Sequence, residues 1–203
     1  MLFRRALLAG GLVSGAAFVL PAGLRAQPAE DDAQKLVAAA RQQIGVTLTY
    51  DPAYSRLDYP GGDVPRARGV CTDVIVRAYR DGLAIDLQVL VHEDMRRAFS
   101  AYPPLWGLKR TDRNIDHRRV PNLQAFLKRQ GAALPVSKDG ADYRPGDIVS
   151  QMLPGNLPHI GIVADARSAD GARPLLVHNI GAGARLEDVL FTYPLTGHYR
   201  YRV

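Results

Sequence analysis

The chain contains a single cysteine, Cys71, in a run that indicates a sharp turn leading directly into a helix. Unpaired backbone N–H groups and the positive end of the helix dipole favour a thiolate at such a position. The pKa of a cysteine there can fall from about 8.5 to roughly 3.5–7.5. The pattern therefore fits an exposed, acidic nucleophile. It fits a small buried hydrophobic side chain equally well, because free cysteine is among the most buried residue types.

Two histidines bracket a predicted β-hairpin and could supply the base that a thiol nucleophile needs. His159 begins one strand, His178 lies near the end of the next, and a turn at residues 169–171 falls midway between them. In an antiparallel pair the start of one strand faces the end of its neighbour, so the rings should meet. We expect His159 to act as base and acid, and His178 to orient it. A zinc site could use the same residues, but close ligand pairs are missing, so we expect no metal or cofactor.

These residues and their surroundings resemble the papain-like NlpC/P60 cell-wall endopeptidases. Residues 144–149 are similar to the Pro-Gly-Asp-hydrophobic strand opener of that family, and residues 159–163 to its catalytic strand. His178 matches the polar residue of the following strand, and Tyr50 matches a tyrosine that lines the site. The resemblance implies a papain-like α+β fold, in which N-terminal helices pack on a five- to six-stranded antiparallel sheet. It also implies a Cys-His-His triad with Tyr50 beside the oxyanion.

Residues 27–203 are further identified as one domain of a domain-of-unknown-function family of secreted bacterial proteins. The runs at residues 69–73, 114–122 and 177–181 carry this likeness.

The chain departs from the NlpC/P60 pattern in two places. Thr72 and Asp73 follow the cysteine, where that family usually has a Ser-Gly pair. Cys71 and His159 are 88 residues apart, a wide separation that a helical insertion around residues 83–120 accounts for. We expect this insertion to cover the cleft, so substrate specificity does not carry over from the family.

Two other polar residues are candidates for substrate binding. Asp73 could tune the thiol or bind an amine of the substrate, and the competing role is that of a capping or solvated acid. His117, which precedes Arg118 and Arg119, could help to bind a substrate carboxylate through guanidinium forks. The alternative for this group is a cluster of surface charges.

The hydrophobic pattern predicts that helices precede strands. Helical spacing predicts helices at residues 30–44, 71–81, 86–102 and, capped by Asn122, 122–130. A period of two predicts strands at residues 147–152, 160–164, 174–178, 190–193 and 198–202. This order indicates an α+β domain with an antiparallel sheet.

Residues 1–26 have the three-part pattern of a cleaved signal peptide. Arg4 and Arg5 begin it, an apolar run follows at residues 6–20, and small residues lead to Ala26. The paired arginines resemble a twin-arginine signal. The apolar run is shorter than the about 20 residues that a membrane span needs, although an uncleaved anchor is the alternative. We expect a periplasmic or otherwise exported protein without a membrane span after signal removal.

The charge of the mature chain bears on its partners. The whole chain has a formal net charge of +6; without the three arginines of residues 1–26, 23 basic residues face 20 acidic ones, which leaves +3. This weakly basic balance fits contact with an anionic cell envelope and gives no argument for nucleic acid. We expect a monomer with one core.

Together the patterns predict an exported thiol hydrolase that cleaves an amide bond, and the resemblance points to peptidoglycan stem peptides as substrate. One alternative is an acyltransferase or amidase that uses the same triad on another envelope molecule. The other is a non-catalytic envelope-binding domain of the same fold.

Overall fold

The computed structural model describes residues 28–203, and the predicted signal peptide at residues 1–26 lies outside them. The helices of this part are α1 (Pro28–Arg41), α2 (Cys71–Leu83), α3 (Leu87–Arg97) and α4 (Val120–Arg129). Its strands are β1 (Thr49–Tyr50), β2 (Arg68–Gly69), β3 (Ala133–Leu134), β4 (Ile148–Leu153), β5 (Leu157–Arg167), β6 (Pro174–Asn179), β7 (Ala184–Glu187) and β8 (Leu195–Tyr199). Within the described range, no helix combines the length and the apolar character needed to cross a membrane.

Six of the strands form one antiparallel sheet in the order β3–β8–β4–β5–β6–β7. Strands β4 to β7 follow one another as hairpins, and β8 returns to pair with β4. Strands β1 and β2 form a separate parallel pair of two residues each, immediately before α2. The predicted mixture of N-terminal helices and an antiparallel sheet is confirmed.

The helices and one face of the sheet enclose the main core, and α2 is central to it. Val74 and Ile75 of α2 are fully buried, as are Ile148 and Ile162 of the neighbouring strands β4 and β5. Successive side chains of a strand point to opposite faces, so Val149 joins a smaller apolar cluster on the far side. The sheet is thus covered by apolar side chains on both faces.

The predicted strand at residues 190–193 is wrong, and β7 forms the edge of the sheet in its place. Nε2 of Gln151 donates to the carbonyl oxygens of Val189 (2.8 Å) and Leu190 (3.1 Å). A side chain therefore satisfies this backbone, and no strand partner is needed. The last strand, predicted at residues 198–202, spans Leu195–Tyr199, and further along the chain Arg202 has a φ of +57°, outside the β region.

Helix α4 begins two residues before its predicted cap. Pro121 occupies the first turn, where its missing N–H leaves no intrahelical hydrogen bond unmade. Asn122 lies inside the helix, and its Nδ2 donates to the carbonyl oxygen of Asp116 at 3.1 Å. The predicted capping residue thus joins α4 to the preceding loop.

Candidate active site

Cys71 is the first residue of α2, as the sequence predicts. Strand β2 leads into it, and Nδ2 of Asn179 donates to the carbonyl oxygen of Gly69 at 3.0 Å, which attaches this turn to β6. A Cβ at Gly69 would lie 3.0 Å from Oδ2 of Asp73 and 3.1 Å from Nη1 of Arg77. Glycine therefore allows the close approach of β2 to α2 that sets the position of the cysteine.

The thiol of Cys71 is buried, which agrees with the second of the two alternatives that the sequence leaves open and not with an exposed, acidic nucleophile. The residue is 3% exposed, and its burial raises the pKa of the thiol to about 12. Hydrogen bonds from the backbone of Ile160 and Thr72 lower this pKa, whereas the carboxylate of Asp73 raises it further. The removal of water from the sulfur thus outweighs the favourable helix N-terminus.

Tyr50 lines the same cavity as Cys71. Burial, followed by the charge that the nearby thiol would carry, raises the pKa of Tyr50 to about 12. The pairing of β1 with β2 fixes the backbone position of Tyr50, which is opposite Gly69 in the register. The position of its hydroxyl beside an oxyanion, which the family resemblance implies, stays a prediction. A neutral phenol next to the nucleophile can donate a hydrogen bond to an oxygen that becomes negatively charged.

His159 and His178 meet at one end of the sheet, as the hairpin argument predicts. Nε2 of His159 lies 2.9 Å from Nδ1 of His178, and both rings are buried. Glu187 of β7, which sequence analysis missed, extends this line. Its Oε2 lies 3.0 Å from Nε2 of His178, a close contact whose angle is poor for a hydrogen bond. Glu187 is opposite Leu176, two residues before His178, so the β6–β7 register brings the carboxylate to the ring.

The carboxylate of Glu187 favours one arrangement of protons along this line. An ionised carboxylate only accepts hydrogen bonds, so Nε2 of His178 carries a proton and its Nδ1 is an acceptor. Nε2 of His159 then donates to that acceptor, which leaves a free lone pair on Nδ1 of His159. A neutral imidazole in this tautomer is able to act as a general base.

Burial keeps both imidazoles neutral. Burial, and then the charge that His178 would carry, lower the pKa of His159 to about 3. Burial also lowers the pKa of His178, although Glu187 opposes this shift. The site at pH 7 therefore holds a neutral thiol and two neutral imidazoles.

Strand β5 connects the thiol to the imidazole line. Cys71 and Ile160 of β5 belong to the same buried cluster, and the backbone of Ile160 is close enough to lower the pKa of the thiol. His159 immediately precedes Ile160, so the proposed base lies one residue away from a neighbour of the thiol. A direct hydrogen bond between the thiol and Nδ1 of His159 stays a prediction.

Asp73 has a structural role in this site. Its carboxylate oxygens accept from Nε and Nη2 of Arg118, each at 2.9 Å, and Oδ2 also accepts from the N–H of Val70 at 2.7 Å. Both side chains of the ion pair are almost completely buried. The structure supports the capping alternative, and no carboxylate oxygen remains unbonded for an amine of the substrate.

His117 lies outside the cavity at Cys71, so its predicted contact with substrate is not supported. It is 1% exposed, and its Nδ1 has no hydrogen-bond partner within residues 28–203. Burial, and then the neighbouring charge of Arg118, lower its pKa to about 3. His117 is therefore a neutral core residue.

A cavity of about 190 Å³ opens at the thiol. Tyr50 and Pro158 line it together with Trp106 and Arg119, which both belong to the predicted insertion at residues 83–120. The insertion thus contributes to the wall of this cavity, whereas its expected role of covering a substrate cleft stays a prediction. No group of three or more His, Cys, Asp or Glu side chains in the described part of the chain is arranged to hold a metal ion.

The fold and the site together define an α+β domain that brings two imidazoles and a carboxylate together at one end of an antiparallel sheet, with a buried cysteine at the start of a helix that packs on this sheet. Residues 37–201 match the family model described as "Domain of unknown function (DUF1287)", and the chain belongs to this family. It is also similar to "Uncharacterized protein YijF" of Escherichia coli (strain K12), with 59% identity over 164 residues. This alignment covers 81% of the chain and 79% of the relative. The expected membership of a domain-of-unknown-function family is confirmed.

Proposed function

We propose that this protein is an exported thiol hydrolase, similar to the NlpC/P60 endopeptidases, that cleaves an amide bond in peptidoglycan stem peptides. The observation that carries the proposal is the line from Glu187 through His178 to His159, whose chain neighbour Ile160 belongs to the same buried cluster as Cys71. A structural histidine needs no such relay. A general base does, because its tautomer and its orientation have to be fixed.

The proposed reaction has two halves. In the first, Nδ1 of His159 takes the thiol proton as the sulfur of Cys71 attacks the amide carbon. Tyr50 and the N–H of Cys71 stabilise the oxyanion. The C–N bond then breaks, and the imidazolium gives its proton to the leaving amine. In the second half, His159 takes a proton from water, which attacks the thioester and releases a carboxylic acid and the free thiol.

A neutral thiol and a neutral imidazole have a consequence for the first step. The proton moves during the attack and not before it, because the pKa of about 12 for Cys71 and of about 3 for His159 disfavour a preformed ion pair. The thiol is therefore still protonated when substrate fills the cavity next to the sulfur, and it loses its proton only as it attacks.

One observation favours a second candidate, a non-catalytic domain that binds the cell envelope. The thiol is 3% exposed and has a raised pKa, as expected for an inert cysteine. An acyltransferase or amidase that acts on another envelope molecule would use the same residues as the hydrolase. Analysis of the products separates these enzymes from one another, and turnover separates both from the binding domain.

Incubation with purified sacculi, followed by mass spectrometry of released fragments, tests the proposed function. We expect the wild type to release peptides with a newly cleaved amide bond. Cys71→Ala and His159→Ala should release none, whereas His178→Ala should retain a small fraction of the activity, because an orienting residue is less essential than the base. His92→Asn, which lies outside the cavity, is the control. Equal release by wild type and Cys71→Ala would contradict the proposal.

Export is tested separately by N-terminal sequencing of the protein from envelope fractions. The charged start and apolar run of residues 1–26 lead us to expect a mature N-terminus near Ala26. Envelope-located protein that still begins at Met1 would favour the anchor alternative.

A further inference from the structure

We propose that Arg119, held against Trp106, binds a carboxylate on the substrate residue next to the scissile amide. This inference rests on the proposed hydrolase function, because it assigns the carboxylate to a substrate, but its test measures binding and does not depend on turnover. The charged side chains that line the cavity at Cys71 favour an anionic ligand. Two arginines line this cavity, Arg118 and Arg119, and its lining contains no aspartate or glutamate.

Arg118 is fully engaged by the protein. Its Nε and Nη2 bond to Asp73, its Nη1 donates to the carbonyl oxygen of Ala53 at 3.2 Å, and its Nη2 also donates to that of Asp51 at 3.2 Å. Each nitrogen of this guanidinium has an oxygen partner, and the carboxylate of Asp73 balances its charge. Arg118 therefore stabilises the site and leaves ligand binding to its neighbour.

Arg119 differs from Arg118 in all these respects. Its guanidinium carbon lies 4.1 Å from the centre of the Trp106 ring, and its Nη1 is buried without a hydrogen-bond partner in the described part of the chain. A buried guanidinium N–H that lacks an acceptor is costly, and native proteins rarely leave one unsatisfied. An arginine that stacks on an aromatic ring keeps its planar N–H edge available, and this edge matches the two oxygens of a carboxylate.

Trp106 is arranged as a support for this arginine. It is 51% exposed, and its φ of +59° is a left-handed conformation that a bulky residue rarely adopts. Such strain persists where the surroundings impose it, and it concentrates at ligand sites. Trp106 and Tyr50 are the two aromatic residues that line this cavity.

The size of the cavity limits what can bind. Its 190 Å³ corresponds to roughly six water molecules at about 30 Å³ each. Because Cys71 and Arg119 line the same small cavity, we expect a carboxylate on Arg119 and a carbonyl carbon at Cys71 to belong to the same residue or to adjacent residues. The ligand class is therefore a short peptide with a carboxylate close to the reacting amide.

The fluorescence of Trp106 provides a direct test, because it is the only tryptophan of the chain. Cys71→Ala protein, which cannot turn over, is titrated with N-acetyl-alanyl-alanine, with its C-terminal amide, and with N-acetyl-glutamate amide. Inorganic phosphate provides a fourth titration. We expect saturable changes in fluorescence with one or both carboxylates, and at least about tenfold weaker binding of the neutral amide. The two carboxylates distinguish a main-chain from a side-chain source, and tight binding of phosphate alone would overturn the proposal.

Variants of Arg119, and of Arg113 outside the cavity, complete the test. Arg119→Gln should abolish the preference for carboxylate over amide, and Arg119→Lys should keep only part of it because the fork is lost. Arg113→Gln is the matched control, since Arg113 is exposed and does not line this cavity. Equal affinity for carboxylate and amide, or a preference that survives in a folded Arg119→Gln protein, would overturn the subsite. Carboxylate binding by a protein that never cleaves sacculi would instead overturn the hydrolase and retain the subsite.

Discussion

Nε2 of His159 and Nδ1 of His178 lie 2.9 Å apart, although 19 positions separate the two residues in the chain. The antiparallel arrangement of β5 and β6 produces this contact, and β7 adds the carboxylate of Glu187 beyond it. Three consecutive strands thus supply three successive members of one polar line. Its outer end is partly exposed, while both rings are buried.

Glu187 is a positioning residue, and Glu187→Gln should lower the rate of amide cleavage about 10- to 100-fold. This range corresponds to about 1.4–2.7 kcal/mol of lost transition-state stabilisation, which we attribute to the close contact of the carboxylate with the imidazole. An amide can present its NH₂ group to His178 and so permit the opposite tautomer. ¹⁵N NMR of the two imidazoles should therefore show a change of tautomer, which a merely structural role would not cause. Glu93→Gln, which lies outside the site, is the control, and an unchanged tautomer in Glu187→Gln would refute this role.

Tyr50→Phe should lower kcat about 10²- to 10³-fold if the phenol donates to the oxyanion, with a smaller effect on KM. Loss of the hydroxyl removes a hydrogen-bond donor from the cavity that Tyr50 and Cys71 both line, and leaves the ring in place. Tyr54→Phe is a suitable control, because Tyr54 is 55% exposed and its hydroxyl bonds to Asp112. A Tyr50→Phe enzyme with wild-type kcat would exclude the phenol from the oxyanion site.

Alkylation of Cys71 by iodoacetamide should be slow in the native protein at pH 7.5 and fast after unfolding. Burial and a pKa of about 12 leave little thiolate in the folded state, whereas a free thiol has a pKa of about 8.5. Because the chain has one cysteine, mass spectrometry of the labelled protein reports on this site alone. Native protein that is labelled as quickly as unfolded protein would show that the thiol is accessible in solution.

Asp73→Asn should destabilise the protein by about 3–5 kcal/mol, because it leaves the buried Arg118 without its counter-ion. Urea unfolding measures this loss as a lower midpoint. The control is Asp31→Asn, which breaks an exposed ion pair with Lys35 and should change the midpoint little. Equal midpoints for the two variants would show that the Asp73 pair does not stabilise the fold.

Acid should destabilise the protein through its buried imidazoles. The pKa values of His117 and His159 are about 3 in the folded state and about 6.5 in an unfolded chain. Between these values the unfolded chain binds more protons than the folded protein, so the free energy of unfolding decreases as the pH falls from about 6.5 to about 3. His117→Gln, measured by urea unfolding at several pH values, should lose less stability over this interval than the wild type. The same pH dependence in both proteins would contradict the prediction.

Much of the site can be read from the sequence, because it depends on short-range patterns. A glycine turn before a helical period places Cys71 at a helix start, and the spacing of His159 and His178 around a turn makes the two rings meet. The order of helical and strand periods likewise determines the mixed architecture. These features follow from rules of backbone geometry that act within one helix or one hairpin.

Other features depend on contacts between distant segments, and only the tertiary structure decides them. Packing of α2 against β5 buries Cys71 and thereby raises the pKa of its thiol. The helix start by itself suggests a lowered pKa, which is the opposite shift. The engagement of Arg118 by Asp73, 45 positions away, leaves Arg119 as the arginine of this cavity whose Nη1 is buried without a hydrogen-bond partner in the described part of the chain. The place of Glu187 at His178 requires the β6–β7 register, although the glycine-rich turn at residues 180–183 signals that hairpin. Desolvation and pairing are properties of the packed molecule, and a linear pattern does not contain them.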